Sequence, residues 1–246
     1  MTKTIILIPS RLAATRLPNK PLMKINGLSI INHVYKKANS AKIGDVFVAS
    51  GDEEIFEDVT KEGGKCILTK KEHHTGTDRI FEAYKKLKIN DVDYIINLQG
   101  DEPMIDIEDI KTLNSSAIKN KSNITTLACK IKDKNILNNN DIVKVITDEK
   151  LSKKNMSKAS TFTRNVIFNY NTNIYHHIGI YMYNVSTLET YVNLKQSKNE
   201  LDQKLEQLRA IDNQIEINVV LAKSPSIGVD TEEDFMEIKK LMNYKI

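Results

Sequence analysis

The 246-residue chain contains no tryptophan, and only 6% of its residues are aromatic. Proteins that hold single-stranded nucleic acid stack its bases on aromatic rings, so this scarcity argues against a nucleic-acid partner. The net charge of +4 is too small to argue for one. No apolar run approaches the roughly 18 residues that a membrane-spanning helix requires. We therefore expect neither nucleic-acid binding nor membrane insertion.

Cysteine is nearly absent as well. Cys66 and Cys129 stand alone, without the paired spacing of a metal-binding or redox motif. Isolated cysteines are typical of small buried apolar residues in a reducing compartment. Lys3 is followed by only a short apolar stretch, so no signal peptide is expected. These features together predict a cytoplasmic protein.

Arginine is scarce relative to lysine. Of the 36 basic residues only five are arginines, and the rest are lysines. An arginine kept against this bias indicates a position where the planar guanidinium fork matters, as in binding phosphate or carboxylate. The five are Arg11, Arg16, Arg79, Arg164 and Arg209.

The opening stretch concentrates two of these arginines. Residues 5–8 are four consecutive apolar residues before a proline, which predicts a buried parallel strand. The loop that follows carries Arg11, Arg16 and Lys20 and is stiffened by prolines. Ligands of open α/β sheets bind beyond the carboxyl ends of the strands. We interpret this loop as a polyphosphate-binding segment; an ordinary loop of solvated cations is the alternative.

The first half alternates strands with helices. This alternation predicts an α/β fold with a doubly wound, mostly parallel sheet, in which the loops after the first, third and fourth strands meet at one crevice. The second half is less regular, and its polar, Lys- and Asn-rich segment 149–173 is expected to be weakly ordered. Predicted strands are 5–8, 45–50, 65–68, 93–98, 124–131, 141–147, 176–183 and 215–221; predicted helices begin after Ser29 and Asp52 and cover 80–87, 107–119, 200–211 and 232–242.

Two aspartates are candidate metal ligands. Asp101 follows the fourth strand in the segment 99–103, where a carboxylate could hold Mg²⁺ together with substrate phosphates and water. A simple turn explains the same residues equally well. Asp230 could be a second ligand, although a helix start before residue 232 is the simpler interpretation. Neither a P-loop nor a glycine-rich dinucleotide motif is present.

Histidines offer a weaker metal hypothesis. Adjacent residues of a strand point to opposite faces, so the two His-His pairs do not predict a zinc site. His177 and Tyr181 are four residues apart on a predicted strand and would share a face. That face suits recognition of hydroxyl or carboxylate groups; a half-buried structural histidine is the alternative. Glu206 and Arg209 are expected to form a surface ion pair on one helix.

Several motifs resemble one enzyme family. Residues 8–22 read I-P-S-R-L-A-A-T-R-L-P-N-K-P-L, which is similar to the signature of sugar nucleotidyltransferases that use CTP. Further matches in the same order are H-H-T-G-T-D-R (73–79), Q-G-D-E-P (99–103), H-I-G-I-Y (177–181), L-E-Q-L-R (205–209) and I-G-V-D-T (227–231). The chain most resembles the 3-deoxy-manno-octulosonate cytidylyltransferases, or CMP-Kdo synthetases.

The resemblance implies transfer of CMP from CTP to a 2-keto sugar acid, with Mg²⁺ and a homodimer. It implies one nucleotidyltransferase domain over residues 1–246, in which 150–212 binds the sugar acid and contributes to dimerisation. The triphosphate would contact Arg11, Arg16 and Lys20, and the cytidine would lie beside Gly76, Thr77 and Arg79. Mg²⁺ would bind Asp101 and Asp230, so that Arg11, Lys20 and these two aspartates carry catalysis. The sugar acid would contact Gln99, Arg164, His177, Tyr181, Glu206 and Gln207.

The chain also departs from the family pattern. Ser50-Gly51 replaces the usual Thr-Asp, Ile167-Phe168 replaces Ile-Pro, and the stretch from there to His176 is shorter. The changes around the sugar site motivate an alternative acceptor, such as an amino-Kdo or a nonulosonic acid. A catalytically silent nucleotide-binding scaffold is a third hypothesis, against which the retention of both aspartates argues.

Overall fold

The structure is a computed structural model that describes residues 2–13, 16–165 and 173–243. The chain forms two compact units. Unit 1 combines Met1–Ile110 with Ser226–Ile246, and unit 2 is Lys111–Pro225. Within the described ranges, no helix has the length and apolar character needed to cross a membrane.

Eleven strands and nine α-helices are found in the described residues. The strands are β1 (Thr4–Ser10), β2 (Lys24–Ile25), β3 (Leu28–Ser29), β4 (Val46–Ser50), β5 (Cys66–Leu68), β6 (Tyr94–Asn97), β7 (Ile124–Cys129), β8 (Lys144–Thr147), β9 (Ser157–Thr163), β10 (Asn173–Asn184) and β11 (Ile217–Leu221). The helices are α1 (Ile30–Ser40), α2 (Glu53–Lys61), α3 (Gly76–Leu87), α4 (Ile107–Asn120), α5 (Asn135–Asn138), α6 (Val185–Val192), α7 (Lys198–Gln203), α8 (Leu208–Asp212) and α9 (Glu232–Asn243).

Unit 1 contains four parallel strands in the order β5-β4-β1-β6. Every residue of β1 is buried, as its continuous apolar run predicts. The chain builds outward from β1 to β4 and β5, then returns to the other side of β1 to form β6. Such a reversal creates a crevice beyond the carboxyl ends of the two strands that flank it. The residues after β1 and β6 are therefore placed for ligand binding.

The helix starts of unit 1 follow local side-chain chemistry. Ser29 caps α1 by accepting a hydrogen bond from the Asn32 backbone N–H, as predicted. The third helix begins at Gly76 rather than near residue 80, because Thr75 and Asp78 form a reciprocal capping box at its start. Residues 76–79 are consequently the first turn of α3 and not a loop, which corrects the prediction.

Unit 2 is mainly antiparallel. β7 pairs with β11 in parallel and with β10 in antiparallel register, and β8 and β9 complete the arrangement. The expectation of weak order over 149–173 is wrong for residues 157–163, which form β9. Ser157, Ala159 and Phe162 are its buried residues. Two of these three are small, which explains why the alternation is too weakly hydrophobic to be recognised.

The predicted helix 200–211 is interrupted. Lys204 adopts a left-handed conformation with φ of 53°, which ends α7, and α8 begins only at residue 208. A continuous helix over 200–211 would place Leu201, Leu205 and Leu208 on one apolar stripe, but Leu201 is 55% exposed, whereas Leu205 and Leu208 are buried. A single stripe therefore does not exist, and residues 204–207 form a turn between two short helices.

Candidate active site

Unit 1 contains a cleft with a volume of about 380 Å³ at the carboxyl ends of its strands. The segments after β1, β5 and β6 line it, as predicted from the strand order, and Asp230 contributes from the C-terminal segment. Four cationic side chains line the cleft, which therefore suits a ligand with several negative charges. They are Arg11, Arg16, Lys20 and Arg79.

Lys20 brings the two predicted metal ligands together. Its Nζ donates to Asp101 Oδ2 at 2.6 Å and to Asp230 Oδ1 at 3.2 Å. The Lys20 side chain is only 11% exposed, because it begins a short 3₁₀ turn whose next residue, Pro21, is buried. The preceding Asn19 takes a left-handed φ of 57°, which turns the chain into the cleft.

Packing and backbone hydrogen bonds carry Asp230 to this point. Val229 shares a hydrophobic cluster with Leu17 of the opening loop, and its N–H donates to the Asp101 carbonyl at 2.9 Å. Asp234 accepts from the backbone N–H groups of Asp230 and Thr231 at 3.0 and 2.8 Å. Because Thr231 Oγ1 accepts from the Asp234 N–H at 3.2 Å, Thr231 and Asp234 form a reciprocal capping box at the start of α9, and the Asp230 carboxylate remains available to cations.

Arg16 forms the outer edge of this charge cluster. Its Nη2 lies 3.1 Å from Asp230 Oδ2, and the two side chains are 62% and 50% exposed. An ion pair this exposed contributes little to stability. Its guanidinium can therefore be redirected toward a phosphate at small energetic cost.

Arg79 is buried and organises the segment after β5. Its guanidinium donates to Thr69 Oγ1 at 2.7 Å and to the carbonyls of Lys70 and Lys71 at 3.0 and 2.9 Å. Burial lowers the pKa of this arginine, although a nearby carboxylate of Asp52 opposes the effect. The side chain borders the cleft, but these donors are used in hydrogen bonds within the protein.

The same segment explains Gly51. A Cβ at this position would lie 2.6 Å from both the Lys70 oxygen and the Lys71 Cα, so the backbone of residues 70 and 71 occupies the space of a side chain. The neighbouring Asp52 occupies the N-cap position of α2, as predicted, but its side chain makes no capping hydrogen bond; its carboxylate instead accepts from the Leu12 N–H at 2.8 Å. Residue 52 thereby holds the loop after β1.

His73 and Glu82 form a pair at the cleft that sequence reasoning missed. Nε2 of His73, a cleft-lining residue, lies 2.5 Å from Glu82 Oε2. Burial alone would raise the pKa of Glu82, but hydrogen bonds from Lys86, the Lys70 N–H and His73 outweigh it and lower the pKa to about 2. The motif at 73–79 marked the histidine; nothing in the sequence marked its partner on α3.

Glu102 is a second residue without a predicted role. Burial, followed by repulsion from the carboxylates of Asp101 and Asp230, raises its pKa to about 7. A carboxyl group with a pKa raised this far is unusual for a structural turn. Its position next to Asp101 was the available signal.

The remaining residues assigned to the nucleotide differ in placement. Gly76 lines the cleft, as does Gln99, which was assigned to the sugar acid. The Thr77 side chain is buried, and its hydroxyl accepts from Asn97 Nδ2 at 3.4 Å. Thr77 therefore faces the protein interior, while its part in binding cytidine stays a prediction.

His177 and Tyr181 lie together in unit 2. Their ring centroids are 5.5 Å apart, across a β-bulge in the pairing of β10 with β7. The His177 Nε2 is 3.1 Å from Thr126 Oγ1, and burial, with a smaller effect of His176, lowers the histidine's pKa to about 3. The Tyr181 hydroxyl is buried and hydrogen-bonds to none of the described residues. A neutral imidazole and an un-ionised phenol thus share one face, as predicted.

Apart from Gln99, the other residues predicted to bind the sugar acid also lie in unit 2. Glu206 and Gln207 occupy the turn between α7 and α8. The prediction that Arg209 belongs to a surface ion pair is wrong, because the arginine is buried: its Nε donates to Glu200 at 2.8 Å, and the Arg209 and Glu200 side chains are only 4% exposed. Arg164 donates to the carbonyls of residues 140 and 141 at 3.1 and 3.3 Å, and Ile167-Phe168 lies outside the described residues.

The sequence was compared with known proteins. Residues 5–217 match the profile of the cytidylyltransferase family. A 3-deoxy-manno-octulosonate cytidylyltransferase of Thermodesulfovibrio yellowstonii is 41% identical, and the alignment covers 98% of each chain. The chain belongs to the 3-deoxy-manno-octulosonate cytidylyltransferase family. A family member from Brucella anthropi is 40% identical over 94% of this chain and 93% of its own.

Solved structures agree with the family assignment. The structure of a CMP:2-keto-3-deoxy-manno-octonic acid synthetase complexed with CTP matches with a TM-score of 0.90 and 33% identity, over the full length of both chains. A UDP-glucose pyrophosphorylase matches with a TM-score of 0.73 at 17% identity, which shows the shared fold alone. The prediction of a Rossmann-like nucleotidyltransferase fold is confirmed, and the chain is a nucleotidyltransferase of the cytidylyltransferase type.

Proposed function

We propose that this chain transfers CMP from CTP to the anomeric hydroxyl of 3-deoxy-manno-octulosonate and releases pyrophosphate. The names of its relatives at about 40% identity support this activity. The observation that carries it in this chain is the contact of Lys20 with both Asp101 and Asp230 in a cationic cleft. Arg11, Arg16 and Lys20 bind the triphosphate, and Gly76, Thr77 and Arg79 lie beside the cytidine.

The reaction exchanges one phosphorus–oxygen bond for another. The anomeric oxygen attacks the α-phosphorus, the bond from that phosphorus to the bridging α–β oxygen breaks, and pyrophosphate leaves with the bonding electrons. The hydroxyl proton is lost to solvent. Phosphoryl transfer depends mainly on positioning and charge stabilisation. Lys20 and Arg11 supply positive charge to the phosphates as the leaving group develops.

Mg²⁺ is proposed as the cofactor. Mg²⁺ binds through one or two carboxylates and fills its other positions with phosphate oxygens and water. Asp101 and Asp230 provide those two carboxylates beside the proposed triphosphate site, with side chains 35% and 50% exposed. Among the described residues, no group of three or more acidic, histidine or cysteine side chains forms an all-protein metal site. Bound there, Mg²⁺ would neutralise phosphate charge and lower the pKa of the attacking hydroxyl.

The sugar acid is assigned to the residues that the family motifs identify. His177 and Tyr181 offer a neutral ring nitrogen and a phenolic hydroxyl, and Glu206 and Gln207 offer side chains on a turn. Gln99 and Arg164 complete the proposed contacts. We also propose that residues 150–212 bind the acid and take part in dimerisation within one functional nucleotidyltransferase domain over 1–246.

The assembly and compartment are proposed on separate grounds. Leu201, in the region 150–212, is 55% exposed, and we propose that such apolar surface is covered in a homodimer. Light scattering of the purified protein measures its mass; a monomer at micromolar concentration contradicts this proposal.

The proposed compartment is the cytoplasm. Two buried free cysteines fit its reducing conditions.

The decisive experiment is a pyrophosphate-release assay with CTP, Mg²⁺ and a panel of acceptors. The panel contains 3-deoxy-manno-octulosonate, its 8-amino-8-deoxy analogue and a nonulosonic acid. The highest kcat/KM is expected with the first compound. A higher kcat/KM with another acid would change the proposed acceptor but would leave the proposed transfer of CMP from CTP in place. Calorimetric CTP binding without pyrophosphate release from any acceptor would contradict the proposed activity.

A further inference from the structure

Three buried residues form the hydrogen bonds and the ion pair that fix the turn carrying Glu206 and Gln207. The turn connects α7 to α8 and belongs to neither helix. Its backbone hydrogen bonds each span only a single turn. Functional side chains on a turn need neighbours that fix the backbone. Tyr191, Glu200 and Arg209 are the neighbours that the structure places there.

Tyr191 contacts the turn directly. Its hydroxyl donates to the backbone carbonyl of Glu206 at 2.7 Å, and the residue is only 1% exposed. That carbonyl belongs to the peptide bond between Glu206 and Gln207. One hydrogen bond therefore fixes the orientation of the peptide from which both side chains project.

Arg209 and Glu200 hold Tyr191 and both ends of the turn. The Arg209 guanidinium lies 5.0 Å from the centroid of the Tyr191 ring and donates to both carboxylate oxygens of Glu200, at 2.8 and 2.5 Å. Glu200 is itself fixed by Gln196 Nε2 and the Ser197 N–H, each at 3.1 Å. The ion pair thus links α7 to α8 across the turn.

The charge state of this pair is fixed by its surroundings. Burial favours a neutral Glu200, but hydrogen bonds from Arg209 and Gln196 outweigh it and hold the pKa of Glu200 below its usual value. The bond to Glu200 raises the pKa of Arg209. Both groups are charged across the physiological range, so the link is permanent rather than a pH switch.

Tyr191 also reaches the other part of the proposed acceptor site. Its ring is 5.9 Å from that of Tyr183, and Tyr183 stacks on Tyr181 at 5.9 Å. Tyr181 in turn lies beside His177. The same tyrosine therefore packs toward the β10 face and hydrogen-bonds to the turn, which are the two parts of unit 2 assigned to the sugar acid.

We propose that Tyr191, fixed by Arg209 and Glu200, is a positioning residue that holds the Glu206–Gln207 peptide in the orientation needed to bind the acceptor acid. The inference rests on the proposed function for the identity of the acceptor. It assigns no contact between Tyr191 and substrate. Loss of its hydroxyl should weaken acceptor binding without changing the nucleotide site of unit 1.

The test compares Tyr191→Phe with Tyr175→Phe. Tyr175 is a buried tyrosine of β10 whose hydroxyl accepts from the Leu151 N–H at 2.8 Å, so the control loses one buried hydrogen bond elsewhere in unit 2. We expect Tyr191→Phe to raise the KM for 3-deoxy-manno-octulosonate about tenfold, the size of one lost hydrogen bond. Its KM for CTP should stay within about twofold of the wild type. Tyr175→Phe should change neither.

Hydrogen exchange gives a readout that does not depend on turnover. Amides of residues 205–209 should exchange faster in Tyr191→Phe and at the wild-type rate in Tyr175→Phe. Arg209→Lys, which keeps the charge but loses the fork, should show the same local change if the first variant folds poorly. Unchanged exchange and unchanged acceptor KM in Tyr191→Phe would overturn the inference, as would equal effects of the control.

Failure of the proposed function is distinguishable from failure of this inference. A wild-type protein that releases no pyrophosphate with any acid removes the acceptor assignment, and with it the acceptor part of the inference. The exchange comparison still decides whether Tyr191 holds the turn. If the wild type is active, and Tyr191→Phe and Arg209→Lys both keep its kinetics and its hydrogen-exchange rates, only the positioning role is overturned.

Discussion

Asp101 and Asp230 lie in different segments of unit 1, yet both accept a hydrogen bond from the single ammonium group of Lys20. The ammonium balances two carboxylates in a largely buried position. Its removal would leave the carboxylates to repel each other and would remove a cation from the proposed triphosphate site.

We therefore predict that Lys20→Gln lowers kcat/KM by about 10²–10³-fold, as expected for loss of one preorganised electrostatic contact. Pyrophosphate release under saturating Mg²⁺ measures the effect. Lys24→Gln is the control, because Lys24 is an exposed lysine on β2. A Lys20 variant with activity comparable to this control would exclude Lys20 from catalysis.

The two aspartates give a second prediction. Asp101→Asn should reduce turnover at least about 100-fold while the Kd for CTP, measured by calorimetry without metal, changes only a few fold. Turnover should fall because an amide is a poor ligand for Mg²⁺. CTP binding should be nearly kept because the substitution leaves the cationic side chains of the cleft in place. Chelation of divalent ions should abolish wild-type turnover.

The control for this experiment is Asp45→Asn, which removes a carboxylate from an exposed pair with Lys65. It should behave like the wild type. Near-normal turnover of Asp101→Asn, or full activity in the presence of a chelator, would show that the proposed metal role is wrong.

Gly51 gives a prediction about stability. A Cβ there would meet backbone atoms of Lys70 and Lys71 at 2.6 Å, so Gly51→Ala must displace the segment that Arg79 holds. Overpacking of this kind destabilises by about 1–3 kcal/mol, measurable as a lower midpoint in urea. Gly228→Ala, whose Cβ would make only ordinary contacts from 3.7 Å outward, should unfold close to the wild type. Equal urea midpoints for the two variants would show that the backbone of residues 70 and 71 moves to accommodate the added Cβ without loss of stability.

Glu82 predicts a pH dependence of stability. Its pKa is lowered from 4.5 to about 2 in the folded protein, so the unfolded chain binds the proton more tightly. The resulting stabilisation, of the order of 3 kcal/mol, is present above about pH 4.5 and is lost as the pH falls toward 2. Glu82→Gln should lower the free energy of unfolding at pH 7 and flatten its decline on acidification.

Urea unfolding at pH 7, 5 and 3.5 measures this difference. Glu62→Gln is the control, since Glu62 forms an exposed pair with Lys36. If Glu82→Gln keeps the wild-type slope between pH 5 and 3.5, the carboxylate of Glu82 is not the group responsible.

The sequence predicted unit 1 well because its signals are local. The buried run of β1, the Ser29 cap and the alternation of strands with helices each depend on neighbouring residues. Unit 2 was predicted less well, because the Lys204 conformation that divides 200–211 into two helices leaves no mark in the hydrophobic pattern. The Ser/Ala-rich strand β9 was missed for a related reason.

The site divides in the same way. Charged residues on the loops after β1 and β6 were predicted to meet, and Lys20 and Asp101 do so, joined by Asp230 of the C-terminal segment. The buried ion pair of unit 2 was not predicted, since Arg209 meets Glu200 only through the packing of two short helices. Pairings of this kind depend on tertiary contacts that spacing along the chain does not reveal.

Unit 1 is built from two stretches of chain, with all of unit 2 inserted between residues 110 and 226. Asp230 therefore leaves the ribosome long after Lys20 and Asp101, and until it does, the ammonium group has only one of its two carboxylate partners. A nascent or proteolysed chain that ends before residue 226 lacks Asp230 and cannot complete the charge cluster, and it also lacks Val229, Phe235 and Ile238 of the cluster around Leu17. Loss of a C-terminal piece would thus remove one carboxylate from the cleft and part of the packing beneath the opening loop, even though most of the cleft-lining residues remain.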